Sequence, residues 1–520
     1  MTILRKTIKI KNLRRKEVSK TLIYIPMRYV FASLLTALEV IFMIAIVVFL
    51  TIKIPYFWIA ILITQIATIA SVIVRDDNPD YKVPWLVLII CIPIIGFMLY
   101  FIFYSRKLKP RFRKKIKQIS EKLEIDDSST LKNIDDSSFA YSQAIQLKKI
   151  AGAHVYQNTN IKYYPTGESS FEDIINDLKN AKKFVFLEYF IIEGGYFWDS
   201  ILEVLKKKVK EGLDVRVVYD DIGCMTTLPG NYYRKLEKIG IKATPYSRLR
   251  VQADNEFNNR NHRKIMVIDG QIGYTGGINL ADEYINKVER FGYWKDTLVR
   301  LDGEAVNELT ALFLMDYSLN HKKADFEFSK FMIAKKVEND GFVIPFGDGP
   351  KPLYQYRVGK TTIMNMLNHA KKYVYMETPY LIIDNELCQA IENTALRGVD
   401  VRIILPYVPD KKLSNAMAKS HYKRLLNAGV KIYEYKPGFI HAKVYLSDDE
   451  VAMVGTINLD YRSLVHHFEN GVWIYKHDVI DKIKKDVFET IELSQEVKKV
   501  KEKWFNRLMW IIFKIITPLL

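Results

Sequence analysis

The sequence predicts an α/β protein of two similar α/β/α halves related by pseudo-twofold symmetry, preceded by N-terminal transmembrane helices. Three observations predict it. The chain has 520 residues, more than one hydrophobic core sustains. Three long apolar stretches crowd its first hundred residues. Beyond them an α/β pattern occurs twice in register, each copy carrying the same polar motif.

The apolar stretches cover 30–52, 54–74 and 83–103, each about 20 residues, the length that spans a bilayer core. No short apolar run with a small-residue cleavage site precedes them, so they read as a retained membrane-anchoring region over 29–105. The basic segment 1–28 and the cation-rich start of the charged linker 106–150 both read as cytoplasmic. Two cytoplasmic flanks require an even number of crossings, so one stretch should not cross. Glu39 lies near the middle of the first, which is therefore expected to be interfacial or re-entrant. The stretch 83–103, with Trp85, Tyr100 and Tyr104 at its ends, has the best interfacial anchors. The expectation is a multi-pass protein of the cell membrane with its soluble halves on the cytoplasmic face.

Lysine and arginine outnumber acidic residues 77 to 59, a formal charge of +18 that calls for an anionic partner: nucleic acid, an acidic membrane surface or a phosphate-bearing substrate. Cys91, Cys224 and Cys388 are too scattered for a disulfide framework or a zinc site.

In the repeat, a helix ending Asn180-Ala181-Lys182-Lys183 leads into the strand 184–190. A second, ending His369-Ala370-Lys371-Lys372, leads into 373–380 with the same alanine-to-glutamate spacing. Gly212-Leu213-Asp214-Val215-Arg216 is likewise echoed by Gly398-Val399-Asp400-Val401-Arg402. The halves are placed at 151–330 and 351–500, with a linker at 331–350 and an amphipathic segment at 501–520.

Each half carries the pattern H-x-K-x4-D: His262, Lys264 and Asp269 in the first, His441, Lys443 and Asp448 in the second. After one further apolar strand each ends in a glycine turn and an asparagine, Asn279 and Asn458. Alternate residues of an extended segment share a face, so each histidine projects with its lysine. An imidazole, an ammonium and a neutral amide suit a tetrahedral oxyanion, and phosphate is the natural guest. One such match would read as an ordinary strand end, but two within a repeat do not. Gly359-Lys360-Thr361-Thr362 lacks the upstream glycine of a phosphate-cradling loop and reads as a helix start.

These residues resemble the phospholipase D superfamily over roughly 151–494. Three further runs resemble its bacterial cardiolipin synthases: 93–100 (PIIGFMLY), 291–296 (FGYWKD) and 458–463 (NLDYRS). The resemblance implies that the two histidines meet across the pseudo-twofold interface, one attacking phosphorus and the other protonating the leaving alcohol, with no metal or other cofactor. Family habit makes His262 the nucleophile and His441 the general acid, then base, although the sequence itself is symmetric on the point. Lys264, Lys443, Asn279 and Asn458 would hold phosphate, and Asp269 and Asp448, which complete the catalytic motif, would hold strand and loop in place. The superfamily also places a histidine-orienting carboxylate downstream of each motif: Glu469 in the second half and Asp296, preferred to Glu289, in the first. Glu188 and Glu377 occupy equivalent strand ends and either line the cleft or serve structural hydrogen bonds.

The implied reaction joins two phosphatidylglycerol molecules into cardiolipin with release of glycerol, at an anionic membrane surface and without nucleic acid. Hydrolysis or another alcohol acceptor is the alternative chemistry. A nuclease would not need the bilayer anchors, and a silent scaffold would not need two intact motifs.

Overall fold

A computed structural model describes residues 56–104, 128–247, 259–321, 328–351 and 353–499, with residues 118 and 119 and isolated positions between 34 and 54. The basic segment 1–28, most of the stretch 30–52 and of 106–127, and the C-terminal segment 501–520 lie outside the described residues.

The anchoring region contains α1 (Phe57–Val74), α2 (Pro79–Cys91) and α3 (Pro93–Tyr104). Among the described residues α1 alone is long and apolar enough to cross a membrane, with a mean hydropathy of 2.3. The stretch 83–103, expected to cross as one helix, is instead broken at Ile92 (φ −135°, ψ 74°), ahead of Pro93. Proline disfavours a helical conformation in the residue before it, so the break falls where the backbone chemistry puts it.

The first half contains β1 (Thr159–Tyr164), β2 (Phe184–Tyr189), β3 (Asp214–Asp220), β4 (Lys242–Tyr246), β5 (Ile265–Ile268), β6 (Ile272–Gly276), β7 (Tyr293–Lys295) and β8 (Leu298–Gly303). The second contains β9 (Phe342–Asp348), β10 (Tyr373–Glu377), β11 (Leu381–Ile382), β12 (Asp400–Pro406), β13 (Lys431–Tyr435), β14 (Gly438–Ile440), β15 (Val444–Ser447), β16 (Val451–Gly455), β17 (Leu459–Asp460), β18 (Glu469–Tyr475) and β19 (Ser494–Glu496). The first sheet runs β1-β8-β6-β5-β2-β3-β4, and the second β9-β18-β16-β15-β10-β12-β13-β19. The two orders match strand for strand until β19 extends the second. In both, only the β2-β3-β4 and β10-β12-β13 pairings are parallel. The register is duplicated as well, with Glu188 opposite Ile265 and Glu377 opposite Val444.

The central strands β2 and β10 are buried throughout, as expected where both faces of a sheet are covered. One continuous core joins the halves, including Phe186, Val267 and Val299 from the first sheet, Phe346 and Val472 from the second, and Leu309 and Phe313 from the helix Val306–Asn320. That helix buries residues on every face, as a helix enclosed on all sides must.

Two segments read as linkers belong to the fold. All of β9 is buried although it falls within 331–350, and Pro345 is tolerated because β9 is the edge strand of its sheet and its outer edge is bridged at Val343, by Tyr156, rather than at the proline. The helix Phe139–Ala151, at the end of 106–150, buries Ala140, Ala144 and Leu147 in the shared core.

Candidate active site

The two motif segments enter their strands by pairing with the opposite half. β14 runs parallel to β7, setting Ile440 opposite Lys295, and an isolated parallel bridge sets Asn261 opposite Phe468. The backbone N–H of His441 donates to the Lys295 carbonyl at 2.7 Å, and that of His262 to the Phe468 carbonyl at 2.8 Å. Each histidine is thereby registered beside the residue that follows, Asp296 or Glu469.

The carboxylates therefore serve the histidine of the other half. His262 Nδ1 lies 2.9 and 3.0 Å from the two carboxylate oxygens of Glu469, and His441 Nδ1 lies 2.6 Å from Oδ2 of Asp296. Glu289, the alternative to Asp296, is exposed. Glu469 also accepts from Thr456 Oγ1 at 2.5 Å and Ser463 Oγ at 2.7 Å. Asp296 accepts from the Thr297 N–H at 2.8 Å and presses against Gly277, where a Cβ would stand 1.9 Å from Oδ1. The glycine turn thus makes room for the carboxylate, and the equivalent Thr456 is a donor to its counterpart.

Both lysines are buried and fold back toward their own histidine. Lys264 Nζ donates to the His262 carbonyl at 2.7 Å, while Lys443 Nζ donates to the His441 carbonyl and lies 2.9 Å from His441 Nδ1. Each ammonium thus bonds the backbone of its own motif, and that of Lys443 also lies beside the imidazole of His441. Phe190 lies edge-on to His262, ring centroids 5.0 Å apart, and Tyr284 lies edge-on to His441 at 5.5 Å.

Burial shapes the charge states, because removing an ion from water disfavours its charged form. It pushes His262 down to about 3 against the attraction of Glu469, and His441 well below the usual imidazole value, with Lys443 and Lys264 adding to the effect. Lys264 falls to about 7 and Lys443 to about 8 for the same reason. Burial lifts Asp296 to about 7 although Lys443 opposes it. Burial also works to raise Glu469, but His262 and His467 outweigh it and hold the carboxylate ionised. The charges act on one another across the halves: Lys443 depresses Lys264, and Lys264 depresses His441. The two motifs share one electrostatic site.

Asn279 and Asn458 are both buried. Asn279 Nδ2 donates to the Tyr284 hydroxyl at 2.7 Å and its Oδ1 accepts from the Ile191 N–H, whereas Asn458 Oδ1 has no hydrogen-bond partner. Asp269 and Asp448 lie beyond the far ends of β5 and β15, not beside the histidines. Each has φ 54° and accepts from three successive backbone N–H groups, of 182–184 and 371–373. Grouped with the catalytic residues by motif, they are structural clasps between the preceding helix and its strand. Glu188 receives the Asn261 side-chain amide, while both Glu377 carboxyl oxygens are buried without a hydrogen-bond partner.

Sequence reasoning missed His467, whose ring centroid lies 5.5 Å from that of His262 and whose buried nitrogens have no hydrogen-bond partner; Nδ1 is 3.7 Å from Glu469. The adjacent His466-His467 pair before Phe468-Glu469 was the available signal. One potential ligand atom each from His262, His467 and Glu469 lie within 4.8 Å of one another, and this trio is the group at the site that could hold a metal ion.

The fold and the crossed site define a two-half phospholipase D-like protein. Residues 174–313 and 363–491 match the family described as "Cardiolipin synthase, PLD-like domain", and 56–103 match "Phospholipase_D-nuclease N-terminal". The chain belongs to the cardiolipin synthase, phospholipase D-like family. It is 33% identical to a cardiolipin synthase of Staphylococcus aureus over 83% of this chain and 88% of that one. A cardiolipin synthase of Halalkalibacterium halodurans is 30% identical over 89% and 93%. An uncharacterized protein of Streptococcus mutans is 44% identical over 84% and 96%. The phosphatidylserine synthase structure of Haemophilus influenzae superposes with a TM-score of 0.56 at 16% identity, covering 74% of this chain and all of that one, a likeness of fold.

Proposed function

We propose that this protein is a cardiolipin synthase that transfers a phosphatidyl group from one phosphatidylglycerol to another at the surface of the cell membrane. The observation that carries the reading is the crossed pair of histidine-carboxylate contacts around two buried lysines. An ionised Glu469 accepting from Nδ1–H leaves the His262 Nε2 lone pair free, the state a nucleophile requires. His441 sits against Asp296, whose value near 7 suits a group that shares a proton with its partner around neutral pH.

In the first step Nε2 of His262 attacks phosphorus, the bond from phosphorus to the glycerol headgroup oxygen breaks, and His441 gives that oxygen the proton on its Nε2 while Nδ1 takes the proton held by Asp296. In the second, His441 takes the proton from a hydroxyl of another phosphatidylglycerol, whose oxygen displaces His262 from phosphorus. Lys264 and Lys443 balance the charge of the phosphoryl oxygens and the neutral amide of Asn458 donates to them, while the Asn279 amide, expected in the same role, is already engaged with Tyr284 and Ile191. The helix α1 and the net charge of +18 support an anionic membrane as the setting, with the halves on the cytoplasmic face and no role for nucleic acid.

Full-length enzyme in phosphatidylglycerol vesicles is expected to release cardiolipin and glycerol in equal amounts, at a rate EDTA leaves within about twofold. Phosphatidic acid as the main product would make the protein a hydrolase. Metal-reversible loss of activity in EDTA would instead bring an ion to His262, His467 and Glu469.

The buried lysines set the alkaline limb. Their depressed values mean that the positive charge is present below about 7 for Lys264 and about 8 for Lys443, and is lost as pH rises through those values. kcat/KM for phosphatidylglycerol should therefore fall about tenfold between pH 7.5 and 9 from Lys443 alone, and about 10²-fold with both charges required. A flat profile over that range would remove the lysines from phosphate binding.

A further inference from the structure

We propose that Pro79–Tyr104 is a re-entrant hairpin that enters the bilayer from the catalytic face, turns inside it and returns to the same face. Its open end clamps the membrane region onto the loop that carries Glu469. The inference rests on the membrane setting proposed above but not on the identity of the reaction.

Length is the first argument. α2 has 13 residues and α3 has 12, about 20 and 18 Å at 1.5 Å per residue, while a hydrocarbon core is about 30 Å thick. Neither leg can span it, whereas the 18 residues of α1 reach about 27 Å.

Folding back is the second. The Trp85 and Tyr100 rings meet edge to face with centroids 5.6 Å apart, although 15 positions of a straight helix would separate them by about 22 Å. At Gly96 an added Cβ would lie 2.6 Å from both the Leu88 carbonyl oxygen and Ile89 Cα, so only glycine allows the legs to approach so closely.

The third argument is how the turn is made tolerable in lipid, where an unsatisfied backbone group costs several kcal/mol. The break frees carbonyls at the end of α2. Those of Leu88 and Ile92 accept from the N–H groups of Ile92 and Gly96 at 3.0 and 2.7 Å. The Ile89 carbonyl accepts from Gln65 Nε2 at 3.1 Å, a polar side chain delivered from the middle of α1. Outward, Val83, Ile90, Ile92 and Phe101 remain exposed, an apolar surface suited to acyl chains.

The open end is held by polar contacts. Asn78 Nδ2 donates to Asp384 at 2.9 Å, and the Asn385 N–H donates to Asp80 at 2.6 Å. Tyr81 stacks on Tyr461, centroids 6.3 Å apart. Tyr461 opens the short helix in which Ser463 donates to Glu469 and accepts from the Asn458 N–H. The membrane clamp is thus one helical turn from the carboxylate that orients His262, which places the site within reach of lipid headgroups.

The test uses full-length protein carrying Cys91→Ser, with Cys224 and Cys388 buried. Asp76→Cys, in the loop between α1 and α2, and Asp136→Cys, beyond α3, are both at exposed positions that leave the hairpin core intact. A membrane-impermeant maleimide is expected to label both from the same face, in inverted vesicles or in intact spheroplasts, with permeabilised membranes confirming that each thiol is open. Labelling from opposite faces would make 83–103 a simple span and overturn the proposal. Independently, because the two rings touch, a Trp85→Cys/Tyr100→Cys pair is expected to close a cross-link with a flexible bismaleimide that spans the space the rings vacate. Failure to close it in an inserted protein would also overturn the hairpin. Neither readout depends on activity, so either can fail while the synthase reading stands.

Discussion

His262→Ala and His441→Ala are each expected to lower cardiolipin formation by about 10³-fold or more while the protein still folds, since both half-reactions use both imidazoles. The two losses should differ in kind. Without His262 there is no nucleophile, so no lipid becomes attached. Without His441 the adduct forms slowly but cannot activate the acceptor, so a phosphatidyl group should accumulate on His262, where peptide mass analysis finds it. Full activity in either variant would sink the mechanism. An adduct on His441 would reverse the roles, and the crossed contacts would then have to favour Asp296 over Glu469 as the partner of the nucleophile. The electrostatics argue otherwise: Glu469 is held ionised with three side-chain donors around it, whereas burial lifts Asp296 to about 7.

The duplicated sheet was legible because spacing in an α/β repeat is set by strand and helix lengths, and the motifs announced themselves by recurring in register. What could not be read was which carboxylate meets which histidine. Glu469 follows His262 by 207 residues and Asp296 precedes His441 by 145, and nothing local distinguishes pairing within a half from pairing across halves. The crossing comes from backbone pairing, Asn261 with Phe468 and Ile440 with Lys295, between short segments whose sequences resemble loops. The histidines themselves precede their strands rather than lie in them. Asp269 and Asp448 belong to the motif but were expected to hold strand and loop in place, and four residues of strand carry each away from its histidine to a left-handed turn that clasps the preceding loop. In the anchoring region hydropathy averages over a window and cannot see a fold-back. Pro93 and Gly96 were the signals, one breaking the helix and the other allowing the legs to touch.

The crossing makes a prediction that a within-half arrangement would invert. A phosphatidyl ester of an acidic phenol needs no protonation of its leaving group, so its first step bypasses the general acid while still requiring the nucleophile. With that substrate, His441→Ala and Asp296→Asn should keep a rapid burst of phenol release, although both variants stall with phosphatidylglycerol. His262→Ala should lose the burst entirely. Glu469→Gln should slow it by about 10²- to 10⁴-fold, the range expected when the group that fixes a catalytic histidine's tautomer is neutralised in place. Glu469 is thereby grouped with the histidine of the first half and Asp296 with that of the second. If Asp296→Asn lost the burst and Glu469→Gln kept it, each carboxylate would be serving its own half, and the Nδ1 contacts of 2.9 and 2.6 Å would not be the working ones.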